Sequence, residues 1–151
     1  MQPDTLLVRR ARFAGSVERH NLRNLRNVRL WPASGSAHAD ILLEAKLLWI
    51  DYYFDGIYGS APTSLTKAEL LARLVSSGIP GAAILTFGDG RVQTEATKTV
   101  GGFTVGVASD EPDCAVADEK NRGSLMSAGA DYIIPDFLEP GLAELVLSGE
   151  C

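Results

Sequence analysis

A chain of 151 residues, 46% apolar and 22% charged, has the composition of one globular domain with an ordinary core. No apolar run approaches the roughly 18 residues of a membrane span, and no apolar stretch of a secretory signal follows the first residues. The net charge of −5 is unevenly placed, because residues 1–30 hold seven arginines against Asp4 and Glu18 and leave the remainder acidic.

Those arginines are interleaved with little aromatic and no lysine content, so they read as a solvated helix face rather than a nucleic-acid arm. Cys114 and Cys151 are too few for a disulfide framework, and no Cys/His spacing suits a metal. Two free thiols fit the cytoplasm.

In chain order, Thr5–Val8 is a short apolar run that predicts a strand. Ser16 can cap a helix from Val17 to about Asn27. The segment VRLWPA, residues 28–33, predicts the next strand, although Pro32 removes a ladder donor. Ser34-Gly35-Ser36 is expected to follow that strand directly, before a helix from about His38 to Leu48 with Ile41, Leu42, Ala45 and Leu48 on one face. A short strand is expected within residues 53–59. Thr66 and Glu69 have the spacing of a capping box, and the helix they open should stop at Gly78, ahead of Pro80.

Ile84, Leu85 and Phe87 form an apolar run without clean alternation, as a strand buried on both faces does. It ends in Gly88-Asp89-Gly90. Asp89 therefore stands just past the carboxyl end of a buried strand, the edge where open α/β sheets bind ligands. A short helix over 94–100, a buried strand over 104–108, an acidic loop over 110–118, a helix over 120–128 and a strand over 132–134 complete the pattern. Pro140 opens a last helix. The βαβα alternation predicts a three-layer α/β/α, Rossmann-like parallel sheet. One domain is expected over residues 1–151, with 1–27 an atypical basic segment and no separate cap domain.

The stretch FGDGRVQTEATKTVGGFTVGVASDE resembles the fourth motif, and the strand after it, of the haloacid dehalogenase superfamily of phosphohydrolases. The resemblance runs from about Asn27 to Leu147. By it, Ser34 with Gly35 in ASGS matches the second motif, whose hydroxyl bonds the transferred phosphoryl group. Lys67 in TKAELL matches the third motif's lysine, which neutralises that group. Asp89 in FGDG matches the fourth motif's Mg²⁺-holding acid. A hydroxyl donor, a point charge and a hard oxygen ligand are what a phosphoryl–Mg²⁺ site needs.

Two departures stand beside the match. The superfamily's nucleophile is the first aspartate of an Asp-x-Asp motif, and no Asp-x-Asp occurs in this chain. Where that strand should end, the sequence reads Leu7-Val8-Arg9-Arg10. Asp55 lacks the spacing to replace it. The fourth motif's second acid is Gln93, and Glu95 is two residues out of step. The resemblance thus implies an N-terminally truncated or remodelled domain that has lost standard phosphatase activity, with Mg²⁺ bound weakly or not at all. Such a domain is expected to bind a phosphate-bearing small molecule or to form a homodimer, away from nucleic acid and membrane. Two alternatives are an active Mg²⁺-dependent phosphohydrolase whose nucleophile comes from elsewhere, and an interaction module built on the basic N-terminal segment. Residues 5–10 are the expected occupant of the missing central strand.

Overall fold

The structure is a computed structural model that describes residues 29–60, 65–109, 117–142 and 144. The strand expected over 5–8, the helix over 17–27, most of the acidic loop and most of the last helix lie outside these residues. The chain divides into two compact units, residues 1–67 and 68–151. Every strand pair among the described residues is parallel, and helices alternate with strands throughout. This is the expected Rossmann-like α/β class.

The first unit is a strand–helix–strand unit. β1 (Ala33–Ala37) runs directly into α1 (His38–Leu47), and a 3₁₀ turn at Asp51–Tyr53 leads to β2 (Tyr58–Ser60). β1 and β2 pair in parallel through Ala33 with Tyr58 and Ala37 with Ser60. α1 buries Ile41 and Ala45, one helical turn apart, and packs on both strands.

The strand expected over 28–33 is displaced. Residues 29–32 are not strand, and β1 begins at Ala33. The reason lies in the backbone donors. Pro32 has none, and the N–H of Leu30 is taken by the Asp55 carboxylate at 2.9 Å. The segment is tied instead to the approach to β2, where Asp55 N–H donates to the Leu30 carbonyl at 2.9 Å and Tyr58 N–H to that of Pro32 at 3.0 Å. Arg29 lies over the Trp31 ring, 4.7 Å from its centroid.

α1 ends in a Schellman-type turn. Ile50 N–H reaches back to the Ala45 carbonyl at 3.0 Å, and Trp49 occupies the left-handed position with φ 54°. Glycine is the usual tenant there; a side chain costs about 1–2 kcal/mol.

The second unit takes in α2 (Lys67–Ser76, its first residue closing the first unit), a 3₁₀ turn at Gly81–Ala83, β3 (Leu85–Gly88), α3 (Arg91–Thr99), β4 (Phe103–Val107), α4 (Glu119–Ser127) and β5 (Tyr132–Ile134). Its sheet has the order β3-β4-β5. α2 stops before Gly78, whose φ is +99°, as the sequence led us to expect. α3 starts three residues before the expected Thr94, because Gly90 serves as its N-cap and Thr94 turns inward to bond the Gly90 carbonyl at 3.2 Å.

The two faces of this sheet differ in chemistry. Val105, Ile134 and Leu142 form the buried apolar cluster, with Leu85, Phe87, Phe103, Val107 and Phe137 packed against it. The Phe87 and Phe137 rings meet at 5.5 Å between centroids. The residues between these, Thr86, Gly88, Thr104 and Gly106, supply the other face. There Thr86 and Thr97 share a hydroxyl bond of 2.8 Å, and Thr97 Oγ1 also donates to the Gln93 carbonyl of its own helix at 2.9 Å. Gly106 lets α4 come close, because a methyl on it would stand 3.0 Å from Leu125 Cδ1.

Two carboxylates organise the ends of α4. Asp118 caps its start, accepting from Lys120 N–H at 2.9 Å and Asn121 N–H at 3.1 Å. After its end, Asp131 accepts two bonds from Lys98 Nζ at 2.7 and 2.8 Å and a third from Thr104 N–H at 2.8 Å. That pair joins α3 to the entry of β4 and β5. No helix among the described residues is long and apolar enough to cross a membrane.

Candidate functional site

In the first unit, the expected phosphate ligands Ser34 and Gly35 lie inside β1 rather than beyond its carboxyl end. This corrects their placement, and the displaced strand start is the cause. Ser34 is buried, and its Oγ accepts the Ser36 N–H at 3.1 Å, so the hydroxyl is engaged within the chain's own turn of backbone. Gly35 is exposed, and a methyl on it would meet nothing within 4 Å. The residue that actually starts α1 at this strand end is His38. Its Nδ1 is buried without a partner among the described residues. Residue type alone gave no signal for this, since the sequence shows only a histidine at a helix start.

Asp55, the tempting substitute for the missing nucleophile, is committed to structure. It accepts from Leu30 N–H and forms an ion pair with Arg29 at 3.3 Å. Lys67 is where the sequence puts it, as the first residue of α2, half-buried. A cation at a helix start opposes the helix dipole, so local stability does not favour lysine there.

In the second unit, Asp89 follows β3 as expected and is half-buried, with no hydrogen bond or ion pair among the described residues. Beyond it, the geometry departs from a metal site. Phe103 N–H donates to the Ile84 carbonyl at 2.9 Å, and Leu85 pairs in register with Phe103. The peptide groups of Leu85 and Phe87 consequently turn away from β4, toward the side of β3 that no other described strand of this unit covers. Gln93, in the first turn of α3, donates its Nε2 to the Phe87 carbonyl at 2.7 Å. The side chain runs directly past Gly88, where a methyl would stand 2.5 Å from Nε2.

Gln93 thus caps a carbonyl that β4 does not use. A carboxylate here would set an anion against the carbonyl oxygen, whereas the amide supplies the donor that this oxygen requires. The out-of-step acid Glu95 is no replacement, because it pairs with Arg91 at 2.8 Å on the outer side of α3. No three His, Cys, Asp or Glu side chains gather in a metal-holding group among the described residues. Beside Asp89, the position where the resemblance expects a second acid holds the neutral Gln93 amide.

No protein-family model matches the sequence, and a search of curated proteins finds no relative. Among solved structures, a haloacid dehalogenase-like family hydrolase from Streptococcus pneumoniae superposes with a TM-score of 0.60 at 20% identity. The match covers 89% of this chain and 59% of that one, so the chain spans about three fifths of the hydrolase's length. The parallel strand–helix alternation and this superposition agree: the chain has the haloacid dehalogenase-like fold.

Proposed function

We propose that this chain is a haloacid dehalogenase-fold domain that no longer carries out the phosphoryl transfer its fold resembles, and that it works by binding. The carrying observation is the Gln93 bond to the Phe87 carbonyl at 2.7 Å. The position where the resemblance expects a second acid is spent on a hydrogen bond to the β3 backbone. Two further facts support this reading. The sequence contains no Asp-x-Asp, and Asp55 is held by Leu30 and Arg29. Nucleophilic catalysis needs a carboxylate free to attack and a second group to move the proton.

What remains suits an anion better than a cation. Lys67 stands at the start of a ten-residue helix, an end whose dipole favours negative charge. A small phosphate ester is the ligand class this fits, in a cytoplasmic setting. The test is hydrolysis of p-nitrophenyl phosphate and acetyl phosphate with millimolar Mg²⁺, together with calorimetric titration of Mg²⁺ and of inorganic phosphate. We expect no Mg²⁺-dependent turnover, no Mg²⁺ heat that disappears in Asp89→Asn, and phosphate binding that weakens in Lys67→Ala. Mg²⁺-dependent hydrolysis abolished by Asp89→Asn would refute the reading.

A further inference from the structure

We propose that the chain forms a two-fold homodimer through the carboxyl-terminal end of α1. Leu43 and Leu47 sit one helical turn apart on that helix, and both are exposed, Leu47 at 68%. Leu48, Trp49 and Tyr52, which follow within five residues of Leu47, are exposed as well, Trp49 at 76%. Aromatic side chains carry roughly 150–250 Å² each, so the five together present roughly 500 Å² of apolar surface, near the top of what a monomer ordinarily exposes.

Trp49 is the informative residue. It occupies the left-handed position that closes α1, where glycine would sit without strain, and it projects its indole into solvent. A strained, exposed tryptophan lowers the stability of an isolated chain and gains a purpose when a second surface covers it.

The rim of the patch selects a second copy as that surface. Lys46 precedes Leu47 and Trp49, and Asp51 follows them; neither forms an ion pair among the described residues. An isologous interface requires a patch that complements itself, so each copy must bring both signs. Lys46 facing Asp51 of the second copy, twice over, meets that requirement. Two such patches together bury roughly 1,000 Å², the lower bound of a specific interface, before the rim is counted.

The experiment is sedimentation velocity of the full chain from nanomolar to high micromolar concentration, with tryptophan emission followed on dilution. The wild type is expected to dimerise, with emission shifting to the red as the dimer dissociates. Trp49→Gly is expected to weaken association at least about thirty-fold, as loss of an interface tryptophan does. Its thermal midpoint, measured where both proteins are monomeric, should be equal or higher, which separates a lost interface from a lost fold. Lys46→Glu and Asp51→Lys should each weaken the dimer about ten-fold, and the double exchange should restore it. A wild type monomeric at every concentration overturns the proposal. So does tight dimerisation of Trp49→Gly, a double exchange no better than the singles, or a monomer that binds neutral phospholipid vesicles through Trp49.

Discussion

Substituting Gly88 should have opposite effects in two backgrounds. Gly88 is buried at the end of β3, and its φ is not in the left-handed region, so the backbone accepts alanine. The added methyl would stand 2.5 Å from Gln93 Nε2, 2.6 Å from Oε1 and 2.7 Å from Cδ. Those atoms are the tip of a flexible side chain, so the amide swings away and abandons the Phe87 carbonyl. The lost bond is worth about 0.5–1.5 kcal/mol. Against this, Gly→Ala at a compatible position contributes about 0.4–1 kcal/mol by restricting the unfolded chain. In the wild type the two nearly cancel or leave a net loss. In Gln93→Ala the bond is already gone and the space is open, so Gly88→Ala should stabilise by about 0.4–1 kcal/mol. The coupling of about 1 kcal/mol is measurable by urea denaturation of the four proteins in a double-mutant cycle. Additive effects would show that Gln93 does not cap this carbonyl, and would remove the main support for a dismantled cation site.

Two other substitutions test the frame around the site. Asp131→Ala strands the N–H of buried Thr104 and frees Lys98, so it should destabilise by about 1–3 kcal/mol, read as a shifted urea midpoint with an unchanged slope. Asp118→Ala removes both N-cap bonds of α4 and should cost about 1 kcal/mol in the same assay, while Asp118→Asn or Asp118→Ser should recover most of it.

The elements with physical punctuation were legible in the sequence. β3 announced itself by an apolar run closed by Gly88-Asp89-Gly90, and α2 by its stop at Gly78 before Pro80. β1 was not legible in the same way. VRLWPA has the branched and aromatic residues that strands favour, yet ASGSA forms the strand, because pairing with β2 and the hydrogen bonds of Asp55 outweigh local preference. That displacement moved Ser34 and Gly35 from a strand end into a strand. Gln93 illustrates the other kind of limit. From sequence it is a missing charge; only the placement of α3 against β3 shows it to be a hydrogen-bond donor with a partner six residues back. The cap of α4 was missed for a simpler reason, since Asp118 looked like one more acid in an acidic loop.

The two faces of the β3-β4-β5 sheet respond differently to temperature. The cluster of Val105, Ile134 and Leu142 is held by exclusion of water, a force that weakens on cooling. The seam between the sheet and α3 is held by directional bonds among Thr86, Thr97 and the Gln93 carbonyl, which do not share that dependence. Chilling the protein therefore loosens the apolar side first and leaves α3 seated with its rotation fixed by paired hydroxyls. Because Gln93 rides on that helix, the cap on the Phe87 carbonyl is among the last contacts of this unit to be released in the cold.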